Sequence, residues 1–412
     1  MPELEPHLAL RYGPRAGSLS DLLAPPYDVI DPPLAEALRA RSPWNAVRLV
    51  LPEGEPPARY ELAAARLAAW GREGVLQADA VPAVTVYRQS FDAPEGRLTR
   101  HALFAALRLE PPGAGVLPHE RTHSGPKRDR LALTLATRTQ LSPVFLAARD
   151  PDGDLLSSLL ESAAEADESV VTPDGIEHRI RRMDDPVAAG QLCALAGAGS
   201  LLIADGHHRY ETALEVARLL ADELPAAGLV LACIVSERDP GLRVRPTHRV
   251  LRGPPPDWVS RLEPAFGSRE LPGCSAEAAA AHAELSGAIV LRVDGRSREL
   301  SPRSEALAAG GLDEADAALP AVLLDRLVVE GVLGQEADGA ARDGLLTYHR
   351  DATGAAEAAG LAGPGTAVFL LPSVPLEAVW RVTELGRRLP PKSTYFEPKV
   401  PSGLLFRPLD PG

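Results

Sequence analysis

The sequence predicts an α+β fold, mixed sheets with flanking helices, and three observations predict it. Apolar runs such as Gly228 to Val235 have the length of a strand and not of a membrane span. Other stretches repeat apolar residues at helical spacing, as Ala213, Leu214, Ala217 and Leu220 do in Glu211 to Leu220. At the centre, S-L-L-I-A-D-G-H-H-R-Y, Ser200 to Tyr210, a short apolar strand runs straight into ionisable residues and then into that helix.

Leu34 to Arg41 reads as a short helix opened by Pro32 and Pro33, Asn45 to Leu51 as a strand, and Tyr60 to Trp70 as a helix. Thr85 to Tyr87 with Phe91, and His101 to Leu109, are two strands joined across D-A-P-E-G. Val144 to Ala148 and Ile176 to Met183 are further strands, with helices over Leu155 to Ala166 and Asp184 to Leu195. At Pro254 to Pro256 the composition shifts to Pro, Gly and Ala, which predicts a hinge. An amino-terminal and central α+β region, 1–253, then precedes a carboxy-terminal α/β region, 254–412. The latter alternates helices (Ala276 to Leu285, Val322 to Val332, Leu376 to Leu385) with strands (Ala288 to Val293, Leu345 to Tyr348, Ala367 to Leu371).

Gly206 permits a tight turn, so Asp205, His207, His208 and Arg209 crowd the strand's end and the helix's first turn. Unpaired backbone N–H groups and the positive end of the helix dipole favour an anion there, and Arg209 adds a fork of donors. The plainer alternative is that Asp205 caps the helix and the histidines are solvated. In A-P-P-Y-D-V-I, prolines hold Tyr27 and Asp28 in a loop of low entropy, suited to substrate contact. Pro118 to Arg130 is the densest charged stretch. It contains H-E-x-x-H at His119, Glu120 and His123, but flanking prolines leave too little helix for a zinc peptidase motif. It reads instead as a basic loop leading into a helix around Leu131 to Ala136, with Arg121, Lys127 and Arg130 available to phosphates and His119 to substrate. In P-T-H-R-V, His248 and Arg249 sit beside a strand end as further substrate candidates. In P-P-K-S-T-Y-F-E-P-K, prolines stiffen a loop expected to fold back on the central site, with Lys392 on the bound anion and Ser393 and Thr394 beside it.

Of the chain's 412 residues 45% are hydrophobic, its mean hydropathy is -0.06 and its net charge is -13. These values fit a globular protein and disfavour nonspecific nucleic-acid binding. No secretory signal or membrane span is expected, and Cys193, Cys233 and Cys274, scattered singly, suit a reducing cytoplasm. No Walker A sequence, no G-x-G-x-x-G after a predicted strand and no G-x-S-x-G elbow is present.

Five separated motifs, P-P-Y-D-V-I, P-H-E-R-T with P-K-R-D-R, A-D-G-H-H-R-Y-E-T-A, P-T-H-R-V and P-P-K-S-T-Y-F-E-P-K, resemble the domain-of-unknown-function family 1015. The D-G-H-H-R element is in turn similar to the phosphate-binding turn of the ParB/sulfiredoxin superfamily, which includes nucleotide hydrolases and a free-serine kinase. That likeness implies a ParB/sulfiredoxin-like core, with Gly206, His208 and Arg209 at nucleotide phosphates. His207 stands where sulfiredoxins carry a reactive cysteine, which argues against their chemistry. DNA binding is not implied.

The first functional reading is a nucleotide-dependent enzyme acting on a small polar metabolite, most concretely a phosphotransferase similar to the serine kinase, using ATP or ADP with Mg²⁺. Arg209, Lys127, Arg130 and the helix end would neutralise phosphate charge, while Glu120, Asp205 or His208 would serve the acceptor. The second is a metal-dependent hydrolase using His119, His123, His207 and His208. The third is a nucleotide-binding switch without turnover.

Overall fold

The computed structural model describes residues 1–120, 124–220 and 222–410. It is α+β, with mixed sheets flanked by helices. Its contacts form two compact units. The first takes Met1–Pro118, the chain onward to Arg243, and the segment from Pro398; the second takes His119 and Glu120 with Val244–Glu397. The division thus falls at Val244, upstream of the Pro254 to Pro256 hinge, and the last segment belongs with the first unit.

The first unit is built on a sheet of Leu4–Glu5 (β1), Val84–Ala93 (β2), Gly96–Arg108 (β3), Val116–Pro118 (β4), Val144–Ala148 (β5), Glu168–Val171 (β6), Glu177–Met183 (β7), Leu201–Asp205 (β8) and Leu229–Ser236 (β9). The order is β4-β8-β5-β9-β3-β2-β7-β6, with β1 also on β3. β8 runs parallel to β4 and β9 parallel to β5, whereas the β2–β3 hairpin is antiparallel. Its helices are Pro32–Arg41 (α1), Ala58–Arg72 (α2), Ser124–Thr137 (α3), Asp154–Ser162 (α4), Pro186–Ala196 (α5) and His207–Leu220 (α6). Leu155 and Leu159 of α4 and Leu192 and Cys193 of α5 bury one sheet face, meeting Val86, Leu103 and Ile234. This is the ordinary result of strand alternation set against helical stripes.

Two expectations fail here. Val47–Val50 is a single helical turn and not a strand. Asn45 sets it: its Oδ1 accepts from Val47 N–H at 2.9 Å, and its Nδ2 donates to the carbonyls of Asp21 and Leu23 at 2.7 and 3.1 Å. Three hydrogen bonds from one buried amide outweigh the β preference of V-R-L-V. The basic stretch before Leu131 is not a loop either, because α3 already begins at Ser124 and carries Lys127, Arg128 and Arg130 on its turns.

The second unit holds the antiparallel sheet of His248–Leu251 (β10), Phe266–Leu271 (β11), Ile289–Val293 (β12), Arg296–Pro302 (β13), Leu346–His349 (β14) and Ala367–Leu370 (β15), in the order β11-β13-β12-β15-β10-β14. Ala276–Ser286 (α7) and Ala352–Ala362 (α8) cover one face through Ala279, Ala283 and Ala355 against Val250, Val290 and Val368. No described helix is long and apolar enough to cross a membrane.

Candidate functional site

In the first unit the candidate site grows from the end of β8. Gly206 follows at φ +93°, a conformation that L side chains rarely adopt, and a Cβ there would stand 2.8 Å from Arg209 Nε. Glycine is therefore favoured by the backbone of the turn, and a side chain there would have to push the Arg209 guanidinium aside. α6 starts at once with His207 and His208, and Tyr210, fully buried, anchors it by donating from its hydroxyl to the Glu110 carbonyl at 2.8 Å. Arg209 Nη2 donates to Asp205 Oδ2 and its Nη1 to the carbonyl of Pro143. The other carboxylate oxygen, Oδ1, accepts from Lys399 Nζ. Burial alone would raise the Asp205 pKa, but the charges of Lys399 and Arg209 more than offset it and hold the group down to about 2.

Beside this turn lies a small recess of about 50 Å³, open to solvent and lined by Tyr27, Arg130, Gln140, Ser142, Arg209 and Thr212 among others. Tyr27 sits in the short turn Tyr27–Val29, and the Arg130 guanidinium lies over its ring at 4.1 Å from the centroid. Arg130 Nη1 donates to the Val50 carbonyl at 2.6 Å, while Nε donates to Asp129 Oδ2 at 2.9 Å. Asp129 also receives Arg59 and, at 2.8 Å, the Tyr60 hydroxyl. On α3, Lys127 pairs with Glu211 of α6. Thr212, only 5% exposed, presents an Oγ1 with no hydrogen-bond partner. Asp28 is exposed. The structure thus gathers Tyr27, Arg130 and Arg209 around one recess, with Asp205 and Gly206 at its edge through Arg209.

The other expected residues belong to the second unit. His119, fully buried, bonds through Nε2 to Thr394 Oγ1 at 2.6 Å, and its carbonyl accepts from Leu389 N–H at 2.7 Å. Glu120 receives the backbone N–H groups of Lys392, Ser393 and Thr394 at 3.4, 3.2 and 3.2 Å, and the Thr394 hydroxyl at 3.1 Å. Lys392, at φ +59°, is exposed. Ser393 donates from Oγ to the Pro390 carbonyl at 2.7 Å. His248 and Arg249 are the first two residues of β10, at the strand end as expected, and both are buried. Leu371 N–H donates to His248 Nδ1 at 3.2 Å, and burial drives that imidazole's pKa down to about 4. Arg249 Nη1 and Nη2 donate to the carbonyls of Thr247 and Lys392 at 2.7 and 2.8 Å, with the guanidinium over the Tyr348 ring. Arg121 and His123 lie outside the described residues.

Sequence reasoning missed Lys399 and Asp129. Both stand inside motifs it had singled out, P-P-K-S-T-Y-F-E-P-K and P-K-R-D-R, and a second lysine in the first was a usable signal. Among the described residues no group of three or more His, Cys, Asp or Glu is placed to hold a metal ion.

Solved structures similar to the chain include a free serine kinase variant in complex with ADP, 15% identical, covering 74% of this chain and 92% of that one at a TM-score of 0.39. A conserved hypothetical protein from Pyrococcus furiosus is 16% identical over 73% of this chain and 93% of its own, at 0.36. C-terminally truncated SbnI from Staphylococcus aureus is 8% identical over 72% and 84%, at 0.38. No curated protein matches the chain. The model of the family described as "Protein of unknown function (DUF1015)" matches residues 4–318, well over half of the chain, and to that family the chain belongs.

Proposed function

We propose that this protein is a nucleotide-dependent enzyme acting on a small polar metabolite, a phosphotransferase of the free-serine-kinase kind that takes ATP or ADP. The observation that carries this reading is the concentration of cations at the β8–α6 turn and its recess. Arg59, Arg130, Arg209, Lys127 and Lys399 stand against the carboxylates of Asp129, Asp205 and Glu211, five cationic side chains to three anionic ones. Even with the exposed Asp28 counted as a fourth carboxylate one positive charge remains in excess, in a chain whose net charge is -13, and that balance suits a polyphosphate.

Phosphoryl transfer asks mainly for positioning and charge neutralisation, so arginine and lysine donors beside a helix N-terminus match its demands. Gly206, His207, His208 and Arg209 would meet the phosphates, with Lys127 and Arg130 next to them and Tyr27 and Asp28 on the substrate side. Asp205, held ionised, suits orienting an acceptor hydroxyl better than removing its proton, and a loose transition state requires little proton removal. Mg²⁺ fits only as an ion taking most of its ligands from phosphate oxygens and water, which is its usual habit. Asp28 is the exposed carboxylate nearest in sequence to the recess residue Tyr27 that could complete such a shell. When bound, the ion would supply charge neutralisation between the phosphates.

The test is titration of the full chain with ATP and ADP, followed by incubation of labelled nucleotide with a pool of hydroxylated amino acids and polyols. Transfer of label to one acceptor is expected. Tight binding without transfer would make the protein a nucleotide-gated switch, and no binding of either nucleotide would overturn the reading.

A further inference from the structure

The chain contains 43 Lys and Arg residues, and only three of them, Lys127, Lys392 and Lys399, are lysine. A lysine ammonium is a compact point charge that a guanidinium does not replace one for one, so where the three lysines stand is informative. Both lysines of the first unit meet the same strand-turn-helix: Lys399 pairs with Asp205 at the end of β8, and Lys127 with Glu211 in α6.

Lys399 is also held with unusual care for a long side chain. Arg100, 1% exposed, donates from Nη2 to the Pro398 carbonyl at 2.7 Å, and Gln89 Nε2 donates to the Lys399 carbonyl at 3.3 Å. Both residues rise from the hairpin β2–β3, so the backbone carrying Lys399 is fixed to the central sheet. Arg100 keeps Nε and Nη1 buried without hydrogen-bond partners, its guanidinium over the ring of Phe145, the residue paired with Asp205 across β5 and β8. Arg100 also donates from Nη2 to Gln89 Oε1, so the hairpin, Arg100 and the Lys399 backbone form one connected support, while at the end of β8 an ammonium and a guanidinium share the single carboxylate of Asp205, two positive charges to one negative. Lys399 lies beyond the residues 4–318 matched by the family model.

We propose that Lys399 is an anion-binding residue of the β8–α6 site: its ammonium rests on Asp205 and turns to a phosphate oxygen of the bound ligand, with Asp205 as its positioning residue. This rests on the anion-site reading given above. The ligand class is a di- or triphosphate, free or on a nucleoside.

The experiment is calorimetric titration of the full chain, as wild type, Lys399→Met and Lys399→Arg, with ADP and separately with inorganic pyrophosphate. Lys399→Met is expected to weaken both at least tenfold, and Lys399→Arg to keep the fold while leaving both weakened threefold or more. Wild-type-like binding by either variant overturns the proposal while leaving the anion site standing, and loss for ADP alone overturns the phosphate contact. If wild type binds neither ligand, the anion site itself fails and takes the proposal with it. A measurement on wild type covers the case in which Lys399→Met does not fold. With three lysines, amine acylation is resolved residue by residue, and saturating ADP is expected to slow acylation of Lys399 at least threefold relative to the Met1 α-amine. An unchanged rate overturns the proposal.

Discussion

Each unit of this protein holds one partly buried carboxylate at the heart of its motif residues, and the two are satisfied in opposite ways. Asp205 is neutralised by two side-chain cations, Arg209 and Lys399. Glu120 is held by three consecutive backbone N–H groups and one hydroxyl. Side-chain cations can turn from a carboxylate to a phosphate, whereas backbone amides leave only if the loop refolds. The comparison teaches that a carboxylate beside basic residues in a sequence can be either a counter-ion in a ligand site or the peg of a loop, and that its partners decide which.

The sharpest way to break the comparison is to delete each carboxylate. Asp205→Asn, like Glu120→Gln a loss of charge alone, leaves Arg209 and Lys399, 11% and 12% exposed, without their shared counter-ion. A loss of about 3–5 kcal/mol in denaturant unfolding is expected, the range for removing one partner of a buried ion pair. Glu120→Gln keeps an acceptor oxygen for the amides and loses only the charge, so about 1 kcal/mol is expected. Equal costs would erase the distinction.

Acid sharpens it next. Burial lowers the pKa of His7 to about 3 and of His178 to about 4 in the first unit, and of His248 to about 4 in the second. A neutral buried imidazole gives its full contribution above the unfolded value near 6.5 and loses it as pH falls from there towards the folded value. Each histidine therefore removes about 2 kcal/mol by pH 5. Burial also lowers His349 in the second unit, so peptide-resolved hydrogen exchange is expected to show both units weakening between pH 6.5 and pH 5, with the Asp205 contribution persisting until pH falls below about 4. His7 has neither ring nitrogen hydrogen-bonded, so His7→Met is expected to flatten the acid response of the first unit and leave the second unchanged.

The strand-turn-helix was legible because it is local: an apolar run ends at Asp205, a turn glycine follows, and helical spacing begins. Val144 to Ala148, buried on both faces, was legible for the same reason. Val47 to Val50 was not, since Asn45 overrides a strand-like composition through bonds to residues more than twenty positions away. Strands β6, β11 and β13 were not, being largely polar and solvent-facing, with little hydrophobic alternation to read. Within the site, the partners of Asp205 and Glu120 were hidden by distance along the chain, 194 residues to Lys399 and 272 to Lys392. Local pattern reports which residues carry charge and which turn they occupy. It does not report which of two lysines in one proline-stiffened motif meets which carboxylate.

The smallest expected effect concerns the second of those lysines. Lys392 occupies left-handed backbone at φ +59°, where a non-glycine residue costs about 1 kcal/mol, and its N–H donates to Glu120. For pegging Glu120 alone, glycine would serve better, because the amide does the work and the side chain is exposed. The exposed ammonium adds nothing to that peg, so the strain of the left-handed backbone is what a substitution at Lys392 would relieve. Lys392→Gly is therefore expected to raise unfolding stability by about 0.5–1 kcal/mol in denaturant unfolding, through relief of the strained backbone. A loss of stability instead would show that the Lys392 side chain, and not only its amide, holds the loop on Glu120.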